Sequence, residues 1–77
     1  MTRTNVTGQS LLDLNSASAA ELEKLPGVGP SLAREIVAYR ERYGRFRRVE
    51  HLLMVRGISE RRLAALRDLV EVRFSDR

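Results

Sequence analysis

Residues 25–36 read Leu25-Pro26-Gly27-Val28-Gly29-Pro30-Ser31-Leu32-Ala33-Arg34-Glu35-Ile36. Two glycines lie one residue apart, a proline follows, and helical apolar spacing begins at once. Pro26-Gly27 ends whatever helix comes before it. Pro30 suits a first helical position, where its missing N–H costs nothing. Leu32, Ala33, Ile36, Val37, Arg40 and Tyr43 then recur at helical spacing, and Gly44 reads as the left-handed residue that closes the helix. The stretch is therefore a tight hairpin between two helices. Upstream, Ser18-Ala19-Ala20-Glu21 forms a capping box. It opens a first helix expected over residues 19–25, with Leu22 and Leu25 on one face.

The same unit returns downstream. Arg45, Phe46, Arg47 and Arg48 connect to a third short helix that holds Val49, Leu52 and Leu53 and ends near Val55. Ser59 caps a fourth helix, with Glu60 near the positive end of its dipole. Leu63, Leu66, Leu69 and Val70 form its apolar stripe. Val72 and Phe74, in the tail, form a brief extended piece or pack down. At an offset of thirty positions Leu22 maps on Leu52, Leu25 on Val55, Gly27 on Gly57, Val28 on Ile58, Gly29 on Ser59, Ala33 on Leu63 and Ile36 on Leu66. Two such copies can pack as a pseudo-two-fold pair. Every signal is helical, so the expected fold is a compact all-α domain of four main helices in two hairpins.

Length and composition bound the rest. The chain has 77 residues, one small domain near the lower limit for unaided folding. It has no cysteine, and a lone His51 cannot build a zinc site. The longest unbroken run of large apolar side chains is Leu52-Leu53-Met54-Val55, too short to cross a membrane as a helix. Residues 1–10 lack the apolar core of a signal peptide. Residues 1–11 read as a polar leader or an expression-derived start, 12–72 as the domain (first motif 18–43, second 48–70), and 73–77 as a tail. Residues 1–38 carry a net charge of −1 and residues 39–77 a net charge of +5. Thirteen of the fourteen basic residues are arginine, whose planar fork matches phosphate oxygens. A GC-rich genome or a thermostable surface accounts equally well for arginine over lysine, but not for the clustering. No carboxylate pair, nucleophile–histidine set or metal-ligand spacing points to catalysis, and so small a domain cannot enclose an ordinary substrate pocket.

The hairpin suggests a chemistry of its own. The first amides of a helix have no internal partner, and the dipole adds positive charge there, which together favour an anion. Glycines at 27 and 29 clear the approach to that backbone, while Val28 points inward as an anchor. The bland alternative is a plain helix–helix turn.

With Leu22 ahead of it, the stretch fits the helix-hairpin-helix pattern, whose fixed positions are taken by Leu22, Leu25, Gly27, Val28, Gly29 and Ala33. The approach segment from Leu14 to Leu22 and the connector from Tyr39 to Phe46 make residues 12–72 resemble the ComEA-type tandem helix-hairpin-helix domain. The resemblance implies a SAM-domain-like helical fold and sequence-independent binding of double-stranded DNA. Each hairpin would grip phosphates across the minor groove, in the capture or uptake of DNA for natural transformation. Carried onto this chain, the DNA-facing positions are Gly27, Val28, Gly29 and Ser31 in hairpin one, with Arg34 close by. In hairpin two they are Gly57, Ile58, Ser59 and Arg61, flanked by Arg56 and Arg62. No cofactor is implied, apart from a monovalent cation that hairpin carbonyls hold in some relatives. The partners implied are double-stranded DNA and uptake machinery at the membrane, with no small-molecule substrate. The location would be periplasmic or extracytoplasmic for a fragment of such a protein, and cytoplasmic for a chain complete as given.

Hairpin two departs from the pattern at Ser59, where glycine is expected, and at Leu63, where alanine is expected. Leu32 stands where relatives often place lysine. Hairpin two would then bind more through side chains than through amides. The connector from Tyr39 to Arg48 interleaves five arginines with three aromatics. Tyr39, Tyr43 and Phe46 are expected in the core. Arg45, Arg47 and Arg48 divide evenly between DNA contact and solubility, and His51 is expected at the surface. The competing reading is a helical protein-docking module with weak or no DNA binding, which an exposed apolar patch would favour.

Overall fold

The computed structural model describes residues 11–73. The leader assigned to residues 1–11, apart from Leu11, and the tail assigned to 73–77, apart from Arg73, lie outside the described residues. So does Phe74. Helix α1 spans Ala19–Leu22, α2 Pro30–Tyr43 and α3 Glu60–Leu66. A 3-10 helix spans Val49–Met54, and a short 3-10 turn, Arg67–Leu69, follows α3.

Each boundary has a local cause. The capping box closes at α1: the Glu21 amide donates to Ser18 Oγ at 3.1 Å, and the Ser18 amide donates to Glu21 Oε1 at 2.9 Å. Helix α1 is shorter than expected. Beyond Leu22 the amides of Lys24 and Leu25 reach back only three residues, to Glu21 and Leu22, and Pro26 disfavours the helical region for the residue before it. Helix α2 ends at Gly44, whose φ of +92° favours glycine.

The third helix is 3-10, not α, and this settles which side chains face inward. At about three residues per turn, Val49, Leu52 and Val55 share one side, and Leu52 and Val55 are buried. Leu53, expected alongside them, is turned outward. Its neighbour Glu50 lies below the ordinary carboxylate range, held there first by a backbone hydrogen bond and then by Arg67 and Arg48. Burial at every third residue continues through each hairpin, as Leu22, Leu25 and Val28 in one and Leu52, Val55 and Ile58 in the other.

The two copies match closely. Residues 18–36 and 48–66 have the same degree of burial (buried, half-buried or exposed) at every position. Their hairpins close with the same bonds, Val28 N–H to Leu25 O and Ile58 N–H to Val55 O, both 3.1 Å. The core of Leu14, Leu22, Ile36, Phe46, Leu52 and Leu66 lies between the copies, with Val28 and Ile58 at its edge.

One element departs from an all-helical reading. Leu12–Asp13 (β1) and Val70–Glu71 (β2) pair as a parallel two-stranded ribbon, Leu12 opposite Val70 and Asp13 opposite Glu71. Two-residue strands are too short to show alternation in sequence, and the pairing exists because the fold brings the two ends of the described residues together. Asn15 locks this closure. Its Oδ1 accepts from Phe46 N–H at 2.7 Å, and its Nδ2 donates to Phe46 O at 2.9 Å and to Arg73 O at 3.2 Å. Asp13 Oδ1 accepts from the Arg73 amide, and Arg40 donates to Leu14 O. In the connector, Phe46 is buried and stacks on Tyr39 with centroids 5.1 Å apart. Tyr43, expected in the core, is 65% exposed instead. It extends the ring row at 4.8 Å from Tyr39, in the last turn of α2 where the core no longer reaches. No described helix is long and apolar enough to cross a membrane.

Candidate functional site

The three glycines of the hairpins differ in kind. Gly27 has φ +78° and Gly57 φ +101°, a region that L side chains rarely adopt. The fold itself requires glycine at both. Gly29 is different. Its φ of −96° and ψ of −173° suit any residue, and among the described residues an added Cβ would meet nothing within 4 Å. Ser59, at the equivalent position, holds nearly the same backbone with a side chain attached, φ −97° and ψ 169°. Internal geometry gives no reason for glycine at position 29.

The two helix starts are correspondingly unlike. Among the described residues no side chain caps α2, and the first helical bond across its start runs from the Ala33 amide to Gly29 O. The amides ahead of it open outward at the positive end of a 14-residue helix. In α3 the Ser59 hydroxyl accepts from the Arg62 amide at 3.2 Å, so one first-turn amide is already satisfied. The hydroxyl keeps its own proton to donate outward.

Of the expected site residues, Gly27, Gly29, Ser31, Arg34, Arg56, Gly57, Ser59 and Arg61 are exposed. Val28 and Ile58 are buried, and their amides are bonded within their own hairpins. They anchor the tips. Arg62 is half-buried, and its Nη1 donates to the carbonyl oxygen of Gly27.

The fold gathers Gly27, Ser59, Arg61 and Arg62 around one depression of about 320 Å³ between the hairpins, with Pro26 and Ala65 completing it. Arg56 lies instead in a second groove of about 290 Å³, with Glu35, Tyr39, Arg42, Tyr43 and Met54. Ser31 and Arg34 line neither. Sequence reasoning missed Arg42 and Met54 beside Arg56. Arg42 stood in the arginine-rich connector, but nothing local signalled Met54, because its outward direction follows from the 3-10 geometry. Among the described residues, no group of three or more His, Cys, Asp or Glu is placed to hold a metal ion.

The model of the helix-hairpin-helix motif matches residues 8–71. The chain belongs to the helix-hairpin-helix family. Within this family it is 39% identical over 64 residues to ComE operon protein 1 of Bacillus subtilis, covering 83% of this chain and 31% of that protein. That similarity bears out the expected ComEA-type tandem helix-hairpin-helix domain. A 43% identity over 60 residues links it to an uncharacterized protein of Haemophilus influenzae, covering 77% of this chain and 54% of the relative. It is also 43% identical over 58 residues to the human endonuclease/exonuclease/phosphatase family domain-containing protein 1, covering 75% of this chain but 10% of that protein. The chain thus spans about a third of the Bacillus relative and a tenth of the human one.

Proposed function

We propose that this domain binds the phosphate backbone of double-stranded DNA without regard to base sequence. The observation that carries the reading is Gly29. A glycine that the backbone does not need, at the uncapped start of a long helix, keeps the amides open to an outside group. A phosphate oxygen suits that position by charge and by size. Hairpin two contributes side chains instead: the Ser59 hydroxyl and the forks of Arg56 and Arg61, with the charge of Arg62 close by. Val28 and Ile58 hold the tips to the core and leave the contacts to their neighbours. Binding in this form releases counterions and carries no base information. Membership of the helix-hairpin-helix family and the similarity to ComE operon protein 1 support a role in DNA capture or uptake for natural transformation.

Fluorescence anisotropy on a labelled mixed-sequence duplex of about 20 base pairs tests this, with affinity expected to fall linearly in log–log against salt. Large differences in affinity between duplex sequences would overturn the phosphate grip. A second reading, a protein-docking module, has one observation in its favour: Tyr43 and Met54 are 65% and 67% exposed and line the same groove. Absence of duplex binding even at low salt would select it.

A further inference from the structure

One reciprocal contact crosses the seam between the hairpins. Leu32, in the first turn of α2, lies over Gly57, and a Cβ on Gly57 would sit 3.1 Å from Leu32 Cδ1. Arg62 occupies the matching position thirty residues on and lies over Gly27 of the other hairpin, where a Cβ would sit 2.7 Å from Arg62 Nη1. Both side chains are half-buried. The copies differ in chemistry, since Leu32 offers only hydrocarbon whereas the Arg62 guanidinium donates to the Gly27 carbonyl. Each hairpin thus rests the third residue of its second helix on the bare glycine of its partner, and only one of these rests is also a hydrogen bond.

We infer that Arg62 is a positioning residue, a latch that sets hairpin one against hairpin two and so fixes the spacing of their two anion-binding surfaces. It differs in this from its neighbour Arg61, which is exposed and makes no such bond. Holding both surfaces at one spacing before DNA arrives removes an ordering cost from binding. Arg62 therefore acts on affinity through Gly27 and the hairpin behind it. Its effect on affinity is defined only within the DNA-binding reading above; its effect on the fold is not.

Salt dependence separates a latch from a phosphate ligand. Arg62→Ala, Arg62→Leu and Arg61→Ala would be compared with the wild-type chain by duplex anisotropy at several salt concentrations and by thermal unfolding. Arg61→Ala is expected to lower the salt slope by about one and leave the melting temperature unchanged. Arg62→Ala is expected to lower both melting temperature and affinity, the affinity by about fivefold or more, with a slope change below about half a unit. Arg62→Leu, which gives the seam the side chain of position 32, is expected to recover most of both. A slope reduced by about one in both Arg62 variants, with unchanged melting temperatures, would make Arg62 a direct phosphate ligand and overturn the latch. If the wild-type chain binds no duplex, the DNA reading fails by itself. The melting temperatures then decide the latch: a loss in Arg62→Ala that Arg62→Leu restores upholds it, and no loss refutes it.

Discussion

At the scale of single residues, the glycines separate folding from function. Gly29→Asp supplies an N-cap side chain on a backbone that accepts one, so stability should hold or rise slightly. The carboxylate then stands where the phosphate is proposed to sit, and affinity for duplex should fall at least about tenfold. Anisotropy together with thermal unfolding checks both halves. Equal affinity in a folded variant would remove Gly29 from the interface. Asn15 is the structural counterpart. Asn15→Ala strands the Phe46 amide and cuts three hydrogen bonds to Phe46 and Arg73. The expected cost is about 2 kcal/mol, seen as a melting temperature lower by roughly 10 °C. A shift within error would mean that water replaces the clamp without penalty.

At the scale of elements, the hairpin is a three-residue rhythm closed by a left-handed glycine. Gly27→Ala and Gly57→Ala force an L side chain into that region and should each cost about 1–2 kcal/mol. Gly29→Ala, on ordinary backbone, should cost almost nothing. Chemical denaturation of the three variants tests the ranking, and equal losses would contradict it. Alanine at 27 and 57 is for this reason a poor probe of phosphate contact, because it perturbs the tip it is meant to report on. The helix starts follow the same logic. Ser59→Ala removes the acceptor for the Arg62 amide and should cost about 1 kcal/mol. The same measurement on Ser31→Ala, at an uncapped start, should show little change.

At the scale of the molecule, two copies of one unit enclose a core that neither can close alone, and the parallel ribbon completes it. Val70 is buried, and the Leu14 amide donates to Glu71 O at 2.9 Å. A chain ended after Leu69 loses β2, that bond and the Arg73 partners of Asn15 and Asp13. It should lose its cooperative thermal transition, as circular dichroism would show. A cooperative melt near that of the full chain would mean that the helical pair suffices.

Much of this was legible in the chain. Gly27, Gly44 and Gly57, the prolines after α1 and at the start of α2, and the caps at Ser18 and Ser59 act through local backbone chemistry. That is why they marked the hairpins and the repeat without reference to the fold. The apolar spacing likewise named Leu22, Leu25, Leu52, Leu63 and Leu66 for the core. Other features depend on neighbours remote in sequence. The ribbon pairs residues 58 apart, the Asn15 clamp reaches 31 residues to Phe46, and Arg62 reaches 35 residues to Gly27. Tyr43 is exposed because α2 runs past the core, and Leu53 turns outward because its helix is 3-10. Local preferences determine where the chain turns and which residues are apolar. Only packing decided which surfaces meet, and so which arginine is left exposed and which is held in the seam.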